Sequence, residues 1–347
     1  TQKSKRKYQS KVCEWSTKVM EKTIDELSID GESLFKEYPP IWHDENKLIV
    51  FEIAKSSGYP FNGKISYKRW PQFELPKRII YDNKLKFSAH PEVFKYAEQK
   101  DPKIVDWHLN FADPDLFVAY GSELLAQDEI QVAEHPILGS IREMLISKKC
   151  YAETVDDDGK PTPVTITGAQ RRCVIDTQPN PKIGCPDGIY GNAFEIATEE
   201  QVRASTRTIS PPTISNILAI SAPSGGYGDY TIGDMLKVLI TAYTGFSCAR
   251  KESENLVPEN PKTLIHTGFW GCGAFGGNRI LMTILQCIAA DLAKVDLEFW
   301  AVNDSGVKVA EEAYNLYKSI GHAEENVYSI LEKLEAKKFQ WGESDGN

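Results

Sequence analysis

The chain has 347 residues, 41% hydrophobic and 26% charged, an ordinary globular composition with enough length for a sizeable core in one large domain or two smaller ones. Its net charge of −9 argues against sequence-independent nucleic-acid binding, which needs clustered Lys and Arg to neutralise phosphates. No apolar run is long enough to span a bilayer, and Ile280–Ala293, interrupted by Thr283, Gln286 and Asp291, reads as a buried helix. The seven cysteines, Cys13, Cys150, Cys173, Cys185, Cys248, Cys272 and Cys287, form no C-x-x-C and no zinc spacing with His. Reduced thiols, no metal, no cofactor and a cytosolic working environment are therefore expected, with no signal peptide.

In chain order, the basic run KSKRKYQSK reads as a solvated lead-in to a helix in which Val12, Trp15, Val19, Ile24 and Leu27 share a face. LIVFEIAKSSGYPFNG is a strand or a short helix and a turn. KIVDWHLNFAD (103–113) is a strand ending in an acidic loop. SELLAQDEIQVAEHP is a helix stopped by Pro136, and ILGSIREMLISK is another. CYAETVDDDGKPTPVTITGA reads as a hairpin tipped by DDDGKP, followed by a polar stretch from Gln170 to about Thr213, long for a loop. NILAISAP (216–223) is a continuously apolar strand, and MLKVLITAYTGF is a helix. TLIHTG is a strand, residues 279–294 a helix and LEFWAVND a strand. Two helices close the chain. Alternating strands and helices, several strands apolar throughout, predict an α/β domain with helices on both sheet faces. The first hundred residues are expected to be a mostly helical extension packed on that core.

HTGFWGCGAFGGNRILMTILQ (266–286) contains G-x-G-x-x-G at Gly271, Gly273 and Gly276. A Rossmann turn opens its domain and is followed by several more strands, whereas one clear strand, Leu297–Val302, follows here. Four glycines between 271 and 277 let backbone N–H groups turn inward ahead of a helix N-terminus, which makes an anion site. A glycine-rich connection without a ligand is the plain alternative.

TGFWGCGAFGGN resembles the T-G-N-W-G-C-G-A-F-G-G-D motif of poly(ADP-ribose) glycohydrolases, which are macrodomain hydrolases. In the same order, FAD (111–113), AQDEI (126–130), TITGAQ (165–170), ILAISAP (217–223) and LITAYTGF (239–246) are similar to that family's F-A-N, V-Q-E-E-I, I-T-G-A-E, I-V-A-I-D-A and A-Y-C-G-F segments. The resemblance implies a three-layer α/β/α macrodomain over 101–347 with a mixed central sheet, an insertion around 170–213 and an N-terminal extension over 1–100. It implies that Gly271, Cys272, Gly273, Ala274, Phe275 and Gly276 wrap the diphosphate of ADP-ribose. Gly121, Gln127, Thr267, Phe269 and Asp304 are further expected ligand contacts, and Glu129, Asp128, Asp113 and Asp115 the expected catalytic carboxylates. Similarity to macrodomain-containing bacterial effectors implies secretion into a host cytoplasm and ADP-ribosylated ubiquitin as a substrate.

Two departures stand out. The family's three consecutive glycines ahead of Q-E-E are reduced to Gly121 in LFVAYGSELLAQDE, and its Y-x-x-Y-T-G-Y segment is replaced by RRCVIDTQPNP, which argues against efficient polymer processing. Asp113 stands where the family has Asn. Extra carboxylates would attract a guanidinium, so arginine-linked ADP-ribose is the expected substrate. Plain alternatives remain: Asp115 as a turn cap after Pro114, Asp128 as a solvated helix residue, Asp304 as a strand end and helix cap, and His108 and His135 as structural. A non-catalytic ADP-ribose reader, a poly(ADP-ribose) glycohydrolase, and a D-x-D nucleotide-sugar transferase using Asp113 and Asp115 are the rival functions. A protein partner on the N-terminal extension is a further expectation.

Overall fold

The computed structural model describes residues 22–81, 84–97, 99–320 and 324–344. Its strands are β1 (Asp25–Asp30), β2 (Lys64–Arg69), β3 (Arg78–Ile80), β4 (Phe87–His90), β5 (Ile104–Ala112), β6 (Val164–Ile175), β7 (Thr206–Ser221), β8 (Lys262–Gly268), β9 (Asp296–Trp300) and β10 (Glu324–Asn326). The helices are α1 (Gly31–Glu37), α2 (Glu45–Lys55), α3 (Gln127–Glu134), α4 (Ile137–Ser147), α5 (Glu199–Ser205), α6 (Ile232–Leu256), α7 (Arg279–Ala293), α8 (Asp304–Ile320) and α9 (Val327–Glu335). Eight strands form one mixed sheet in the order β1-β2-β6-β7-β5-β8-β9-β4, and β3 pairs with β10 separately. From β7 through β5, β8 and β9 to β4 the pairing is parallel. From β1 through β2 and β6 to β7 it is antiparallel.

Helices cover both faces, as the mixed α/β expectation requires. Trp107 and Leu109 of β5 and Leu218 and Ile220 of β7 pack with α6, α7 and α9 in one core. Ile217 and Ala219, on the opposite face of β7, join Val164 and Ile166 of β6 against α1, α3 and α4. A strand buried on both sides reads as an unbroken apolar run, which is why NILAIS was legible. α2 and α5 close a third cluster over the far end of β6 through Val50, Ala54, Cys173, Phe194 and Val202. Among the described residues, no helix is long and apolar enough to cross a membrane.

The N-terminal segment differs from the expected mostly helical extension. Residues 25–30, 64–69 and 87–90 supply three strands of the central sheet. The helix expected to reach Leu27 gives way to β1, whose burial alternates residue by residue. Val12, Trp15 and Val19, with the basic run, lie outside the described residues. The polar stretch 170–213 is likewise structured: it holds the end of β6, two 3-10 turns, α5 and the first half of β7. Its charges hid the strand because they are buried and paired. The Arg171 guanidinium binds Glu134 at 2.7 Å, and Arg172 donates to the carbonyls of Ala54 and Tyr59.

On the α3 face of β5, His108 is stacked between Tyr96 and His266, with ring centroids 4.0 and 4.3 Å away. Burial, with His266, His135 and Arg171 adding their repulsion, holds its pKa well below the ordinary value. An unfolded chain regains a normal imidazole, so below the ordinary histidine pKa the unfolded state binds the proton and stability falls as pH drops. His108→Phe keeps a ring in the stack and removes that titration. The variant is expected to lose less melting temperature than wild type between about pH 7 and about pH 5, measured by thermal denaturation monitored by circular dichroism. Equal slopes would show that His108 titrates normally in the fold.

Candidate functional site

Because β7, β5, β8 and β9 run parallel, their C-terminal ends lie along one edge of the sheet. The segments 113–126, 222–231, 269–278 and 301–303 therefore emerge together, the usual location of a ligand crevice in an α/β sheet. The acidic motif and the glycine loop meet there, although some 140 residues separate them.

The acidic half is organised by the start of α3. The Gln127 side chain accepts from the Phe111 N–H at 2.7 Å and donates to the Leu109 carbonyl at 2.9 Å. It thus completes the backbone pairing of β5 and fixes the helix start against the strand end. The next residue, Asp128, accepts from Asn110 Nδ2 at 2.9 Å. Glu129 Oε2 accepts from the Ala126 N–H at 3.0 Å, the reach-back of a helix-capping glutamate. Both carboxylates are buried, so Asp128 is no solvated helix residue. Burial raises the pKa of each; the neighbouring Glu129 charge raises that of Asp128 further, and backbone N–H groups and Lys47 partly oppose the rise at Glu129. Buried acids that retain protons above the ordinary carboxylate range suit proton transfer.

The other two acids separate. Asp113, half-buried, accepts from the Asp115 N–H at 2.9 Å, and its charge raises the pKa of both Asp128 and Glu129. Asp115 is exposed and gripped by Arg142 of α4, with contacts of 2.6 and 3.1 Å. That fork anchors the loop and argues against a D-x-D metal site. Among the described residues, no group of three or more His, Cys, Asp or Glu is arranged to hold a metal ion. His135 is buried between the Gln131 carbonyl and Ser215 Oγ, at 2.8 and 2.9 Å, a structural role.

Gly121 is packed against the 41–44 segment. Its carbonyl accepts from the N–H groups of His43 and Asp44, at 2.9 and 3.1 Å. A Cβ there would lie 2.5 Å from the Ile41 carbonyl oxygen, so glycine admits the 41–44 segment. Behind it stands Lys47 of α2, fully buried, whose Nζ donates to the Tyr120 and Leu124 carbonyls at 3.0 and 2.7 Å. Sequence reasoning missed Lys47. The available signal was helical spacing: Lys47, Val50 and Ala54 lie on one face, and all three are fully buried.

In the glycine loop, Gly271 and Gly276 have φ of +73° and +62°, which favours glycine strongly. Gly277 N–H donates to the Gly271 carbonyl at 2.9 Å, closing the loop on itself. Among the described residues, the N–H groups of Gly271, Gly273, Ala274 and Phe275 donate to no acceptor. They precede α7, which Asn278 caps by accepting from the Leu281 N–H at 3.1 Å. Cys272 and Phe275 are half-buried in this loop. Thr267 is buried beneath it, donating to Gln286 of α7 at 2.5 Å. Phe269 packs edge-on against Phe299 at 5.1 Å and under the Arg279 guanidinium at 4.8 Å. Asp304 is exposed at the start of α8, and the capping role expected of it falls to Asn303, which accepts from the Gly306 N–H at 2.9 Å.

Residues 186–309 match the family described as Poly (ADP-ribose) glycohydrolase (PARG), Macro domain fold. Among solved structures, the chain is similar to the poly(ADP-ribose) glycohydrolase of Thermomonospora curvata, with 12% identity, a TM-score of 0.47, and coverage of 78% of this chain and 98% of that one. It is also similar to the Deinococcus radiodurans poly(ADP-ribose) glycohydrolase in complex with ADP-ribose, with 11% identity, a TM-score of 0.43, and coverage of 82% and 96%.

A methyl group at residue 271 would sit 2.7 Å from Ala222 Cβ and 3.0 Å from Met282 Cε, at a φ of +73°. Gly271→Ala is expected to cost at least about 1–2 kcal/mol in urea denaturation from backbone strain alone. Adding Ala222→Gly should recover part of the loss by removing the nearer contact.

Proposed function

We propose that this chain is a hydrolase that releases ADP-ribose from modified proteins. The observation that carries the reading is the pairing, on one sheet edge, of a loop presenting unclaimed N–H groups with a buried Asp128–Glu129 pair whose pKa values are raised. Open N–H groups and the α7 N-terminus suit a diphosphate. The carboxylates suit the ribose end, where cleavage of a glycosidic bond develops oxocarbenium character. Glu129 and Asp128, one of them protonated, supply a proton or activate water. Asp113 adds negative charge beside the developing cation. The family match over 186–309 supports the same chemistry.

Arginine is the linkage this reading favours. A guanidinium leaving group is already cationic, and Asp113 in place of a neutral amide gives it a counter-charge. On this proposal the protein works in the cytosol, and ADP-ribosylated ubiquitin is among the substrates to try. Poly(ADP-ribose) cleavage is the second reading, favoured by the family match.

The test is release of ADP-ribose from arginine-, serine- and glutamate-linked proteins, from arginine-modified ubiquitin and from poly(ADP-ribose), with calorimetry of free ADP-ribose alongside. Glu129→Ala is expected to lower turnover by at least about a hundredfold while still binding ADP-ribose. Asp113→Ala is expected to lose arginine-linked release more than any other. Binding without release from any substrate would make the protein a reader, and release from polymer alone would overturn the arginine assignment.

A further inference from the structure

The segment that leads into α3 has no sheet or helix of its own, yet it is held at nearly every residue. Lys47 Nζ binds the carbonyls of Tyr120 and Leu124, and the His43 and Asp44 N–H groups bind that of Gly121. Leu125 exchanges both backbone hydrogen bonds with Gly191 of the 176–198 segment. The neighbouring Asn46 side chain donates to the carbonyls of Phe194 and Ala197 of that segment, at 3.0 and 2.9 Å. One turn of α2 therefore ties the acidic loop to the 176–198 segment, and a fully buried ammonium stands at the junction.

Burying a lysine is costly unless something nearby requires its charge. Both hydrogen bonds of Lys47 identified above go to neutral carbonyls, which an uncharged donor would also satisfy, though more weakly. The charged groups that bear most on it are acids: Glu129 and Asp128 of α3, Asp44 of its own helix cap, and Glu123 of the loop. Asp113 faces the same carboxylate pair from the end of β5.

We propose that Lys47 is a positioning residue that clamps segment 120–125 and sets the protonation of the Asp128–Glu129 pair through its buried charge. The proposal rests on the reading that this pair carries the chemistry. Burial brings the Lys47 pKa down to about 8, with Glu129 the largest opposing influence. The ammonium thus remains charged at neutral pH and lowers the pKa of Glu129. Removing it leaves the carboxylates harder to ionise, so they must hold their protons to higher pH.

The experiment compares wild type, Lys47→Met and Lys47→Arg by three readouts: the pH profile of ADP-ribose release, calorimetric affinity for ADP-ribose, and carbon-13 NMR titration of the carboxyl groups. Lys47→Met is expected to move the acid limb of kcat, and the Glu129 titration midpoint, upward by about one pH unit. Its affinity for ADP-ribose through the glycine loop should stay within about threefold of wild type. Lys47→Arg, which keeps the charge, should return both midpoints toward wild type even where turnover is reduced by its bulk. If Lys47→Met loses turnover with both midpoints unmoved, Lys47 is only a structural peg and the proposal falls. If Lys47→Met does not fold, Lys47→Gln, which keeps a donor without the charge, is judged by the same two midpoints. Should wild type release nothing from any substrate, the hydrolase reading fails alone, because the NMR midpoints still decide the electrostatic role of Lys47.

Discussion

β5 has two faces that make incompatible demands. Val105, Trp107 and Leu109 face α6 and α7 in an apolar core, while Asp106, His108 and Asn110 face the other way, where His108 and Asn110 are buried and Asp106 half-buried. A central strand has its backbone paired on both sides, so its polar side chains depend on whatever packs above them for partners, and both His108 ring nitrogens find none among the described residues. Asp106 takes His266 of β8 at 2.9 Å, and Trp300 of β9 donates to the same ring at 3.2 Å. His108 is enclosed in a stack of rings. Asn110 takes Asp128, and the strand end takes the Gln127 amide. The polar start of α3 is therefore required here by the strand beneath it, and the burial of Asp128 and Glu129 follows from that docking.

The two halves of the site are stabilised by different means. The glycine loop needs only backbone conformation: two residues with positive φ, a closing hydrogen bond and a capped helix. Its outer side is braced by residues near the C-terminus, where the Gly342 N–H binds the Gly276 carbonyl at 2.7 Å and Trp341 stacks on Tyr230 at 3.9 Å. The acidic half depends on long-range side-chain contacts instead. Lys47 and Asn46 come from α2, Arg142 from α4 and Gly191 from the 176–198 segment. α2 thus forms part of the frame that holds the carboxylates.

Much of the parallel half of the sheet was legible because its signals are local. IVDWHLNFA, NILAIS, TLIHTG and LEFW are apolar or alternating runs, and α6 and α7 carry helical periodicity. β1 was read as the end of a helix because Ile24 and Leu27 also fit helical spacing; its half-exposed alternation DELSID is a weak signal at a sheet edge. The end of β6 was hidden by Arg171 and Arg172, whose burial depends on partners far away in the chain. The site divides the same way. Gln127, Asp128, Glu129 and the glycines lie in short recognisable strings. Lys47, Asn110 and Arg142 matter only through the residues they meet, and nothing in the sequence announces those meetings.

The proximity of the halves has an electrostatic consequence for the proposed chemistry. β5 and β8 are adjacent strands, about 4.8 Å apart, and the loops that leave them carry opposite character. The β8 loop offers N–H groups and a helix N-terminus to an anion, whereas the β5 loop and α3 offer Asp113, Asp128 and Glu129. A diphosphate is repelled by the second group and attracted by the first. A group that becomes cationic during bond cleavage experiences the reverse. On the proposed function, an ADP-ribose unit entering this edge would be orientated by the sign of its own charges, diphosphate toward α7 and reacting ribose carbon toward α3. On the proposals above, the carboxylates must be buried deeply enough to retain a proton and close enough to Lys47 that they do not all lose their charge.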